Sequence, residues 1–140
     1  MYYDMLSRLA ETGAVLAAAP FLAAVATHFG NRLAGRLDDA TRSAVRRFLR
    51  RTARQQTGEE RRSIELRTER GWRITFSPSL PAEALGQLPD LCAAESPRSD
   101  IRFVISWRTE GWTCFGALDG EFVSYRWEAE GKRWTPAPIS

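Results

Sequence analysis

The front of the chain contains a long apolar pattern without a charged residue. Residues 13–30 hold seven Ala and six strongly apolar side chains, and Gly30 followed by Asn31 supplies a helix stop signal. These eighteen residues approach the roughly 20 that a bilayer-spanning helix needs, although Ala adds little to insertion and Pro20 lies mid-segment. The pattern predicts an apolar helix that contacts a membrane or another copy of the chain. Its candidate contact residues are Val15, Leu16, Phe21, Leu22, Val25 and Phe29.

Residues 31–56 show the three-to-four-residue period of an amphipathic helix. Apolar residues between Leu33 and Leu49 fall on one half of the helical wheel, and arginines fall on the other half. Asp38 or Asp39 is expected to serve as an N-cap where this helix restarts. The arginine side could lie on an anionic surface, with Arg42, Arg46, Arg47, Arg50 and Arg54 as the candidate contacts.

Beyond the polar residues 55–62 the period changes from helical to alternating, as in β-strands. Residues 64–68 and 72–77 predict a hairpin, and residues 81–91 predict a short helix that begins near Pro81. Three longer strands follow at 101–109, 112–118 and 121–128, with Asp119-Gly120 as a two-residue turn, and a last short strand surrounds Trp134.

These elements predict an α+β fold, with two N-terminal helices followed by an antiparallel β-meander that carries one short helix. We expect three parts: a helical membrane-association or oligomerisation region at 1–57, a linker at 58–62, and a tryptophan-rich β-domain at 63–140. All five tryptophans lie in the last part. Core and cross-strand packing is their expected role, and Trp107, Trp112 and Trp127 are the candidates for a partner-binding surface.

The net charge of +3 is unevenly distributed along the 140 residues. Residues 1–63 contain 11 Arg and 6 acidic residues, whereas residues 64–140 contain 9 basic and 11 acidic residues. A negatively charged partner would therefore meet the front of the chain. The arginines that follow the apolar run would keep the β-domain on the cytoplasmic side, at the inner face of the cell membrane. Two cysteines, Cys92 and Cys114, suggest free thiols in a reducing compartment.

The sequence contains no residue pattern that is typical of a catalytic site. The single histidine, His28, lies in the apolar run, and the chain has no phosphate-binding glycine loop and no motif of a hydrolase or a zinc enzyme. Acidic residues such as Glu110, Asp119 and Glu128 are explained as solvated turn and strand residues. We therefore expect a non-catalytic protein without a metal or a cofactor.

Several functions remain open for such a chain. The favoured one is a membrane-associated or oligomeric accessory or adaptor protein whose β-domain binds a protein partner. The alternative is a soluble regulatory module whose arginine helix binds nucleic acid, with Arg46-Arg47 and Arg50-Arg51 on phosphates. A further alternative is a small pore-forming effector.

The stretches Pro-Phe-Leu-Ala-Ala-Val-Ala-Thr and Gly-Asn-Arg-Leu-Ala-Gly-Arg, followed by an arginine-rich helix, resemble the front of small uncharacterised actinobacterial proteins. The later Leu-Pro-Ala-Glu-Ala-Leu segment and a Trp-terminated hairpin are similar to the same group. The resemblance covers most of the chain but is compositional. It implies an accessory component of a bacterial conflict or signalling system, and it assigns no catalytic or ligand residue.

Overall fold

A computed structural model describes residues 15–57, 63–98, 101–108 and 111–137. The predicted linker at 58–62 and the first two residues of the uncharged run lie outside these ranges. The described elements are β1 (Val15–Ala17), α1 (Ala18–Phe29), α2 (Asp39–Thr57), β2 (Ile64–Arg67), β3 (Arg73–Phe76), α3 (Ala82–Ala93), β4 (Val104–Arg108), β5 (Gly111–Leu118), β6 (Glu121–Glu128) and β7 (Arg133–Pro136). A short 3-10 turn, Gly30–Leu33, follows α1.

The seven described strands form one mixed sheet in sequence order, which confirms the α+β class. Pairing is antiparallel except between β1 and β2 and between β3 and β4, where it is parallel. Helices connect both parallel pairs: α1 and α2 lie between β1 and β2, and α3 lies between β3 and β4. A helical crossover returns the chain to the same end of the sheet, so the next strand runs in the same direction. The predicted antiparallel order was therefore correct for the β2–β3 hairpin and from β4 to β7, and wrong between β3 and β4, where α3 intervenes; β1 was not predicted as a strand.

The start of the apolar run differs from the predicted helix. Val15–Ala17 forms a strand that pairs with Glu65, Leu66 and Arg67 of β2. The helix begins only at Ala18, so Pro20 lies in its first turn. The first N–H groups of a helix have no partner within the helix, and a proline there breaks no hydrogen bond. Pro20 thus marks a helix start and does not interrupt a helix.

The second helix is shorter than predicted and begins with the expected cap. The Thr41 backbone N–H donates to Asp38 Oδ1 at 2.7 Å, the geometry of an N-cap carboxylate that satisfies the third helical residue. Hydrogen bonds from the Thr41 hydroxyl and backbone hold the pKa of Asp38 below its usual value. The break between α1 and α2 is thereby stabilised as a defined corner.

The β-turns follow the local sequence. Asp119 and Gly120 both have positive φ, 52° and 81°, as a two-residue turn of the primed type requires. Gly71, with φ 85°, allows the chain to reverse between β2 and β3. Both turns occur where the sequence predicts them.

The helices cover one face of the sheet, and the core lies between that face and the helices. Side chains on that face form a continuous buried row across neighbouring strands: Leu66, Ile74, Ile105 and Cys114 are paired in register. The Trp112 indole donates to the Ala84 carbonyl of α3 at 3.0 Å, and Phe21 of α1 packs against Phe76 of β3 with ring centroids 5.9 Å apart. The helical and β regions on the two sides of the predicted linker therefore share one sheet and one core.

Candidate binding surfaces

The apolar residues of the front segment lie against the body of this chain. Phe21, Val25 and Phe29 are buried in the core, and Leu16 and Leu22 are partly buried against it. Phe48 of α2 packs on Phe21 and Phe29, with ring centroids 5.9 and 5.5 Å away. Val15 belongs to β1. Within the described ranges, no helix is both long and apolar enough to span a bilayer.

The arginines of α2 lie on the side of the helix that faces away from the core. Val45, Leu49 and Ala53 are buried, whereas the five candidate arginines are all exposed: Arg42, Arg46, Arg47, Arg50 and Arg54. Arg42 forms an ion pair with Glu83 of α3 at 2.5 Å. The other four have no ion pair with a carboxylate of the described residues. The burial of apolar residues and the exposure of arginines along this helix follow the predicted amphipathic pattern.

The tryptophans chosen as partner contacts lie on the helix-covered face. Trp112 is fully buried, Trp127 is 6 % exposed, and Trp107 is partly exposed at its side. Trp107 packs edge-to-face on Trp112 at 5.4 Å, and Trp127 packs on Trp134 at 5.2 Å. A partner could reach Trp112 only by opening the core, so these rings act here as packing residues.

None of the described elements covers the sheet face opposite the helices, which we call the open sheet face. It contains Phe122, which is 70 % exposed, and Val104, which is 38 % exposed. Arg108 lies over the ring of Phe115, with its guanidinium carbon 5.1 Å from the ring centroid. The alternation along the strands could have identified this face from the sequence. The positions between the core residues carry Thr, Ser and Arg, together with the apolar Phe122 and Val104.

A cleft of about 300 Å³ lies between the start of α1, the β2–β3 turn and the end of α3. Trp72, Leu91 and Cys92 line it together with Arg70, which donates to the Ala94 carbonyl at 2.8 Å. Burial raises the pKa of the Cys92 thiol to about 11, although nearby Arg70 acts in the opposite direction. The thiol is therefore protonated at neutral pH and is a poor nucleophile there.

The remaining candidates for chemistry are dispersed over the molecule. His28 is exposed and lies against Phe48, with ring centroids 5.1 Å apart. Cys114 is a free thiol inside the sheet, and burial raises its pKa to about 12. In the part of the chain that the structure covers, no three His, Cys, Asp or Glu side chains are grouped as a metal site would require.

Comparisons with known proteins do not assign a family to this arrangement. No protein-family model matches the chain. No curated protein matches it significantly, and neither does any solved structure.

Proposed function

We propose that this chain is a non-catalytic accessory protein that is held at an anionic membrane surface by α2 and binds a protein partner through its β-sheet. The observation that carries the proposal is the arginine face of α2. Arg46, Arg47, Arg50 and Arg54 are exposed on one side of a helix whose other side is buried. The helix can therefore present these charges without leaving the fold. The resemblance to actinobacterial proteins suggests a bacterial conflict or signalling system as the setting.

The attachment proposed here is peripheral. Phe21, Val25 and Phe29 pack into the chain's own core, and inserting them into lipid would require unfolding of that core. An arginine near an anionic surface contributes about 1 kcal/mol, so four of them supply a few kcal/mol in total. Such binding is weak and reversible, and it falls as salt screens the charges.

Vesicle binding of the full chain tests this proposal. We expect the protein to sediment with vesicles of phosphatidylcholine and phosphatidylserine at low salt, and not with vesicles of phosphatidylcholine alone. Replacing Arg47, Arg50 and Arg54 with Gln removes three charges and keeps residues that favour helix. The partition coefficient should then fall on the order of 100-fold, because three contributions of about 1 kcal/mol are lost.

The matched control removes the same number of charges from the opposite side of the molecule. Arg67, Arg108 and Arg126 lie on the open sheet face, and their replacement with Gln should leave vesicle binding nearly unchanged. Equal losses in both triple variants would mean that only net charge matters, and the proposed surface would be rejected. If duplex DNA is bound with a steep salt dependence while vesicles are not, α2 is a nucleic-acid surface instead.

A further inference from the structure

The open sheet face carries an apolar centre. Val104, Phe115 and Ser124 are neighbours in register across β4, β5 and β6. Phe122 is paired with Ala117 and is therefore a diagonal neighbour of Phe115, on the order of 7 Å away. Most exposed side chains on an uncovered antiparallel face are polar. Phe122, which is 70 % exposed, and Val104, which is 38 % exposed, depart from that polar pattern.

A row of small hydroxyl residues lies next to this apolar centre. Thr75, Ser106 and Thr113 are paired in register across β3, β4 and β5. Their side chains are short. Thr75 and Ser106 are partly exposed, whereas Thr113 is buried. The longer Arg126 is paired with Thr113, and Phe115 follows Thr113 by two residues on the same face.

The charge of this face is positive. Its strand positions carry five arginines and two glutamates: Arg67, Arg73, Arg108, Arg126, Arg133, Glu65 and Glu128. Glu65 lies 3.1 Å from Arg73 and 3.9 Å from Arg67, and Glu128 lies 3.6 Å from Arg133. Arg108 and Arg126 have no ion pair with a carboxylate of the described residues. The two glutamates are thus already paired, and the two arginines beside the apolar centre are available to anions.

We propose that this face binds an acidic protein segment with at least one aromatic or aliphatic anchor. The anchor packs on Phe122, Phe115 and Val104, and carboxylates of the segment pair with Arg108 and Arg126. A second copy of this chain would bring two positive faces together, which like-charge repulsion opposes. The inference rests on the proposed protein-binding role of the β-sheet and gives that role a surface and a ligand chemistry.

Peptide selection with the full chain tests this inference. A random peptide library is selected on the immobilised protein, and enriched peptides are synthesised and titrated by fluorescence anisotropy. We expect enriched sequences to combine Asp and Glu with an aromatic or aliphatic residue. Phe122→Ser and Arg126→Glu should each weaken binding about tenfold or more, as is usual for an anchor and for a charge pair at an interface.

Three controls distinguish peptide binding at the open sheet face from vesicle binding at α2. Phe122→Leu keeps an apolar anchor site and should retain most of the binding. The α2 variant with Gln at 47, 50 and 54 should bind peptides as the wild type does, while Phe122→Ser should leave vesicle binding intact. Failure of vesicle binding and failure of peptide binding can therefore be told apart.

The inference is overturned by any of three results. Enriched peptides could lack an acidic excess, or they could bind the two sheet-face variants as tightly as the wild type. Sedimentation of the free protein could also show a dimer that Phe122→Ser dissociates, which would assign the face to a second copy. Phe122 and Arg126 are exposed, so near-ultraviolet circular dichroism and urea midpoints should show that the variants are folded.

Discussion

At the scale of the residue, Trp112 connects a strand of the sheet to the helix that covers it. It is fully buried, it donates to the Ala84 carbonyl of α3, and it meets the rings of Phe76 and Trp107. The side chain thus joins β5 to α3, to the neighbouring strand β4 and to β3 beyond it. Buried indoles usually have such a hydrogen-bond partner, because an unpaired N–H in the core is costly.

We expect Trp112→Phe to lower the free energy of unfolding by about 2–3 kcal/mol, through a lost hydrogen bond and a cavity where the larger ring was. Urea unfolding followed by circular dichroism measures the change. Trp107→Phe is the matched control because Trp107 is partly exposed, and it should cost less than half as much. Equal losses in the two variants would show that the Ala84 contact contributes little.

At the scale of the element, the approach of the 3-10 turn to α3 depends on a glycine. A Cβ placed on Gly86 would lie 2.9 Å from the Leu33 carbonyl oxygen and 3.4 Å from the Leu33 Cβ. Backbone atoms cannot rotate out of the way as a flexible side chain can. The corner between α1 and α2 therefore packs onto α3 because position 86 has no side chain.

We expect Gly86→Ala to destabilise the protein by about 1–3 kcal/mol, as an overpacked contact does. Helix propensity alone predicts the opposite sign, since Ala is favoured over Gly within a helix by about 1 kcal/mol. The sign of the change in the urea midpoint decides between the two effects. A stabilised Gly86→Ala variant would mean that the turn does not pack closely on α3.

At the scale of the whole molecule, the helical front and the strands behave as parts of one core. β1 contributes the edge strand next to β2, and the helices cover Ile64, Leu66 and Ile74. Removing the front would expose this face of the sheet to water. The exposed apolar side chains would then favour aggregation or loss of structure.

We expect a fragment of residues 63–140 alone to lack a cooperative unfolding transition, whereas the full chain unfolds in one step. The dispersion of amide resonances reports whether the fragment and the full chain are folded, and calorimetry reports whether each unfolds cooperatively. Addition of a fragment of residues 1–57 should restore dispersed resonances if the two parts recombine. Independent folding of the 63–140 fragment, with its own sharp transition, would contradict the shared core.

The sequence by itself determined the local elements of this protein. Alternation placed most strands, Asp119-Gly120 marked a turn, and Asp38 was among the residues expected to cap α2. These features could be predicted because turn geometry, capping and periodicity depend on neighbours in the chain. The arginine face of α2 was predicted for the same reason.

Tertiary structure alone decided what the apolar pattern contacts. Phe21, Val25 and Phe29 have the composition of a membrane or oligomer contact, but they are buried in the chain's own core, where Phe21 packs on Phe76 of β3 and Phe29 on Phe48 of α2. The pairing of Val15–Ala17 with β2 and the open face around Phe122 likewise depend on long-range packing. Periodicity tells which residues share a side of an element, but it does not tell what covers that side. That requires the positions of residues distant in sequence.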